Sequence, residues 1–124
     1  MRNESRTLKV GKALGRSGEG LAVDYLRRQG YEIVGTNFRF DRAEVDVIAK
    51  DKDVLVFVEV KTRRGGTLGE PEEAVTFRKR DQIRKAAEGY LFEHKLADVE
   101  CRFDVIAIKH MRGDTTVSHF RDVF

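Results

Sequence analysis

Two periods alternate along this chain. In two stretches apolar residues recur every three to four positions; in five others they alternate with polar residues or run on without a break. The first helical stretch extends from about Gly15 to Arg28, where Leu21, Ala22, Tyr25 and Leu26 make one apolar stripe and Gly30 supplies the stop. The second extends from about Glu72 to Leu96, with Ile83, Ala86, Ala87, Tyr90 and Leu91 on one face. The extended stretches are Tyr31–Phe40, the segment opening at Glu44, Val54–Lys61, Arg102–Lys109 and Thr115–Phe120. Asp51, Lys52 and Asp53 make the polar turn before Val54, and Gly113–Asp114 turns the chain into its last strand.

Val54–Lys61, VLVFVEVK, is β-branched, short, and apolar on both faces, which predicts a central strand covered from both sides. Side chains alternate along a strand, so Leu55, Phe57, Glu59 and Lys61 share one face and Val54, Val56, Val58 and Val60 the other. In the preceding segment Glu44, Asp46 and Ile48 share a face. Hairpin pairing of the two brings Asp46 beside Glu59 and Lys61. A strand, a long helix and a further strand imply a crossover, so part of the sheet is parallel. The expected architecture is α/β, a mixed sheet flanked by helices.

Composition narrows the class. A chain of 124 residues with 40% hydrophobic residues and eight Phe forms one globular domain, taken here as residues 13–124 after a loose basic arm over 1–12. The single Cys101 rules out an internal disulfide or a cysteine zinc cluster and suits a reducing compartment. With no membrane-length apolar run and no secretory signal pattern, the expectation is a cytoplasmic protein with no membrane partner. A net charge of +3 permits a nucleic-acid partner without requiring one.

The charges are placed unevenly. Buried carboxylates need a partner, and a divalent cation is a good one; an ion-pair network at a strand end would satisfy Asp46, Glu59 and Lys61 equally well. Glu19 borders the buried face of the first helix, either as a surface acid favoured by the helix dipole or as a group aimed at the same place. Arg63 and Arg64 follow Lys61 at the start of TRRGGTLGEPEE, a Gly-rich stretch expected to form a mobile loop, and suit phosphate oxygens or simple solvation. Lys79 and Gln82 flank the apolar stripe of the second helix, within its basic first half, and face either solvent or the site.

An acid in the first helix, an Asp ending an early strand and Glu-x-Lys on the next one resemble the PD-(D/E)xK nuclease superfamily. More closely, the chain resembles the YraN family of small uncharacterised bacterial proteins. That resemblance shows in GRSGEGLAVDYLRRQGY, TNFR, AEVDVIA, VFVEVKTRR, LGEPEEAV and RFDVIAI. It implies a restriction-endonuclease-like fold, similar to archaeal Holliday-junction resolvases, and cleavage of phosphodiesters with Mg²⁺ or Mn²⁺. Carried over, Asp46 and Glu59 hold the metal, Glu19 completes the site, and Lys61 orients the attacking water and stabilises the phosphate. Ala43 stands where the family usually has Gly, and Phe38 where Trp is common. By analogy with resolvases the chain would act as a homodimer.

Three functions follow in order: a metal-dependent endonuclease on DNA, including branched or structured DNA; a nucleic-acid-binding module of nuclease fold that does not cut; and an interaction domain whose charges are ion pairs.

Overall fold

The computed structural model describes residues 5–11, 16–64 and 76–124. Its elements are β1 (Ser5–Gly11), α1 (Gly18–Arg28), β2 (Glu32–Phe40), β3 (Ala43–Asp51), β4 (Val54–Arg64), α2 (Phe77–Glu93), β5 (Cys101–Met111) and β6 (Asp114–Phe120). The strands form one sheet in the order β1-β6-β5-β4-β3-β2. Only β4 and β5 run parallel, joined through α2. The α/β class, the mixed sheet and the flanking helices agree with the sequence reading and with a restriction-endonuclease-like fold.

β4 lies inside the sheet because its VLVFV run has apolar partners for both faces. On one side α1 places Leu21, Ala22, Tyr25 and Leu26 against Val56, Val58, Ile106 and Ile108. On the other, α2 places Ile83, Ala86, Ala87 and Tyr90 against Ile48, Phe57 and Val105. Both helices begin at a capped turn: the Ser17 hydroxyl accepts the Gly20 N–H at 3.0 Å and the Thr76 hydroxyl accepts the Lys79 N–H at 3.2 Å. Two glycines set how closely the helices lie. A Cβ on Gly18 would sit 2.3 Å from Thr62 Oγ1 on β4, and one on Gly89 would sit 2.1 Å from the Phe40 ring. The first contact holds the start of α1 against the end of β4.

Several boundaries differ from expectation. Residues 5–11 pair with β6 as an edge strand instead of forming a loose arm, and so β6 is an interior strand. The alternation of this stretch is masked in the sequence by its two basic residues, Arg6 and Lys9. β4 continues through Thr62, Arg63 and Arg64, kept extended by pairing with β5, where the sequence suggested a loop from Thr62. The rest of that loop, and the predicted start of the second helix at Glu72, lie outside the described residues. The last turn is Arg112–Gly113, both with positive φ, one residue earlier than read from sequence. Ala43 is buried in β3 and is absent from the positive-φ positions; Asp41, two residues earlier, takes the left-handed conformation instead.

Candidate metal and phosphate site

The β3–β4 ladder runs from Asp51↔Val54 to Val47↔Val58 and ends there. Beyond it the strands diverge, leaving a β4 amide without a ladder partner, and Asp46 fills that position: its Oδ2 accepts the Val60 N–H at 2.8 Å. Strand alternation breaks at the same place. Val47 packs in the α1-side core, whereas Val45, two residues away, packs in the α2-side core. The β2 pairs Thr36↔Val47 and Phe38↔Val45 bracket Asn37, whose φ is 52°. Asn tolerates this left-handed conformation better than almost any residue other than Gly. Asn37 therefore marks the distortion on β2 and Asp46 the distortion on β3.

Glu59 comes from the α2-facing side of β4 and is buried at 3% exposure. Its Oε2 meets Lys61 Nζ at 3.3 Å and Lys79 Nζ at 3.6 Å. Among the described residues its Oε1 is buried with no hydrogen-bond partner. Burial pushes the Glu59 carboxyl up from its ordinary value, the neighbouring Asp46 pushes it further, and the two lysines only partly offset this. The site thus joins two carboxylates, one bearing a vacant acceptor, to two ammonium groups.

The expected residues divide accordingly. Asp46, Glu59, Lys61 and Lys79 come together. Alternation along β4 puts Arg63 on the Glu59–Lys61 face and Arg64 on the opposite one. Glu44, another acid on the expected Asp46 face, pairs with Arg39 at 3.5 Å. Glu19 accepts a hydrogen bond from Asn37 Nδ2 at 2.7 Å, so it is linked to the Asp46 distortion through β2. Among the described residues no three His, Cys, Asp or Glu side chains gather as a metal-holding group. The pair still suits Mg²⁺ or Mn²⁺, because Mg²⁺ is commonly held by one or two carboxylates with water and phosphate oxygens completing its shell. Glu59 Oε1 is the atom in need of such a partner. Gln82 lies apart from this cluster, in a cleft between α2 and the β2–β3 turn.

Sequence reasoning missed Asn37, although it lies in the TNFR stretch; the signal was an Asn in the middle of a strand. It also missed a buried network on the α1 side of the sheet. Asp104, one parallel pair before the level of Glu59, accepts from Arg102 Nε and Nη2 at 2.9 Å each, His119 Nε2 at 2.7 Å and the Asp122 N–H at 3.0 Å. Arg102 also donates to Asp51 and Tyr31. The Tyr25 hydroxyl lies 3.0 Å from His119 Nδ1, and burial pushes its pKa up to about 12, so it remains a donor. Its visible signal was an acid inside an apolar strand, RFDVIAI.

Residues 18–108 match the sequence pattern of the Uncharacterised protein family UPF0102. The chain is 47% identical over 112 residues to a UPF0102 protein of Syntrophotalea carbinolica, covering 90% of this chain and 91% of the relative. It is 45% identical over 125 residues to one of Geotalea uraniireducens, covering 100% and 97%. A third, from Christiangramia forsetii, is 45% identical over 111 residues, covering 90% and 92%. Among the described residues no helix is long and apolar enough to cross a membrane.

Proposed function

This chain belongs to the uncharacterised protein family UPF0102, the YraN family, and from that footing we propose that it is a divalent-metal-dependent endonuclease hydrolysing phosphodiester bonds in DNA, branched or structured DNA included. The observation that carries the reading is the buried Glu59 near Asp46, one of its oxygens lacking a partner among the described residues and the other facing Lys61 and Lys79. A buried acceptor without a partner is uncommon, and a bound cation would satisfy it.

Asp46 and Glu59 would hold Mg²⁺ or Mn²⁺. When bound, the metal lowers the pKa of a water and neutralises charge developing on the phosphate. The remaining work falls to this chain's own side chains. Lys61, partly exposed and tethered to Glu59 Oε2, would orient the attacking water and meet the negative phosphate oxygens. Lys79 adds a second positive charge at the capped start of α2, where the helix dipole also favours an anion. Arg63 extends the same face for an adjacent phosphate. Asn37 and Glu19 position the Asp46 segment from behind.

A second reading, a nucleic-acid-binding module of nuclease fold that does not cut, draws support from Glu19, which is engaged by Asn37 instead of forming a third ligand. The test incubates the wild type and Asp46→Ala with labelled single-stranded, duplex and four-way-junction DNA, in Mg²⁺, Mn²⁺ or EDTA. Metal-dependent cleavage lost in Asp46→Ala is the expected result. Binding without cleavage in both proteins would favour the second reading.

A further inference from the structure

A cleft of about 610 Å³ lies between α2 and the β2–β3 turn, on the same side of the sheet as Glu59. Arg78, Gln82, Lys85, Gly89 and Phe92 recur at three- and four-residue steps and form its helical wall. Phe40, seated on Gly89, forms its floor. Phe92 at its rim is 78% exposed and takes no part in the core stripe of α2. Phe92 thus offers an open aromatic face at the lip of a cleft lined by both polar and apolar groups.

The lining sets the ligand class. Arg42, Arg78 and Lys85 are balanced by Asp41, Asp81 and Glu88, so the cleft has no net field to collect phosphate. Adjacent donors, acceptors and an aromatic face suit a nucleobase, whose edge carries both donors and acceptors and whose ring stacks. The volume falls within the range of about 300–1,000 Å³ typical of small-ligand sites, and a stacked duplex cannot enter it. Position links the cleft to the candidate site. Arg78 is next to Lys79, which reaches Glu59, and Ala43 on the facing wall precedes Asp46 by three residues.

We infer that this cleft receives an unstacked base of a DNA strand whose backbone passes Asp46 and Glu59. The inference deepens the nuclease reading and rests on it for the path of the backbone. Phe92 lies about 20 Å along α2 from Lys79, so the substrate is DNA with unpaired nucleotides a few steps from the scissile phosphate; a base paired in continuous duplex would first have to leave the stack.

The experiment measures fluorescence anisotropy of labelled single-stranded, forked and continuous-duplex DNA in EDTA, so that binding is read without cleavage. It compares wild type, Phe92→Ala and Phe92→Tyr, each checked for unchanged thermal unfolding. Phe92→Ala should weaken single-strand and fork binding by roughly tenfold, the scale of one lost base–aromatic stack, leaving duplex binding unchanged. Phe92→Tyr should restore it. Equal losses on all three DNAs, no loss, or no DNA binding by the wild type would overturn the inference. Metal-dependent cleavage that is independent of Phe92 would remove the base cleft and leave the nuclease. Phe92-dependent fork binding without cleavage would do the reverse.

Discussion

Replacing Asp104 with Asn tests the buried network on the α1 side of the sheet. Asp104 is fully buried and accepts from four donors, two at each oxygen. Asn keeps one of those oxygens and turns an amide N–H₂ toward the donors at the other. Either orientation strands two donors, one of them on Arg102, which is only 11% exposed at its side chain. Removing one partner of a buried ion pair costs about 3–5 kcal/mol. Because Arg102 keeps Asp51 and Tyr31, the lower end, ~3 kcal/mol, is expected, a drop in Tm on the order of 10–15 °C for a chain of this size. Urea denaturation followed by circular dichroism at pH 7 measures it. The pH dependence provides a second check. Burial alone would raise the Asp104 pKa, but the hydrogen bonds from His119, Arg102 and the Asp122 N–H together hold it below its ordinary 3.8. A lowered folded value contributes stability that is present above pH 3.8 and lost as pH falls through the folded value. The gap between wild type and Asp104→Asn should therefore begin to narrow below about pH 4 and close only beneath the folded value. A loss under about 1 kcal/mol at pH 7, the worth of a single ordinary hydrogen bond, would refute the reasoning.

The remaining predictions concern the candidate site. Because burial and Asp46 raise the Glu59 pKa, its contribution to stability is present below its ordinary 4.5 and is lost as pH rises through the folded value. Glu59→Gln should accordingly flatten the stability profile above pH 4.5, as read by thermal melts across pH, and a profile parallel to wild type would contradict this. Mg²⁺ or Mn²⁺ at a hundredfold excess over its Kd should stabilise the wild type by about 2.7 kcal/mol, and Glu59→Gln much less. Asn37→Ala should cost roughly 1 kcal/mol through its left-handed backbone and weaken cleavage by releasing Glu19. Asn37→Gly should recover the stability but not the cleavage, and recovery of both would show that the Glu19 link is idle.

Local patterns carried the sequence reading where one strand or helix face determines the outcome. The alternation in VLVFVEVK correctly placed Glu59 and Lys61 on one face of a central strand, and the stripe from Ile83 to Tyr90 left Lys79 and Gln82 on its flank, of which Lys79 reaches Glu59 and Gln82 does not. What escaped the reading depends on partners remote in sequence. Residues 5–11 become a strand only because β6, more than a hundred residues later, offers an edge. Arg63 and Arg64 stay extended because β5 continues beneath them. Glu19 points to Asn37 because β2 turns left-handed there, a single backbone angle that hydrophobic periodicity does not encode. Asp104 reads as an anomaly in an apolar strand until Arg102 and His119 supply its donors.

The pairing of β1 with β6 has a consequence for how the fold is assembled. β2, β3 and β4 meet across short turns and can associate as soon as they are synthesised, whereas β4 reaches β5 only after α2 has crossed between them. β1, made before all of these, finds its neighbour only when β6 emerges. During synthesis its backbone amides therefore wait in water while the other strands assemble, and long-range closures of this kind slow folding. The two basic residues that disguise the strand in the sequence, Arg6 and Lys9, also keep the waiting segment soluble and discourage it from pairing with another chain.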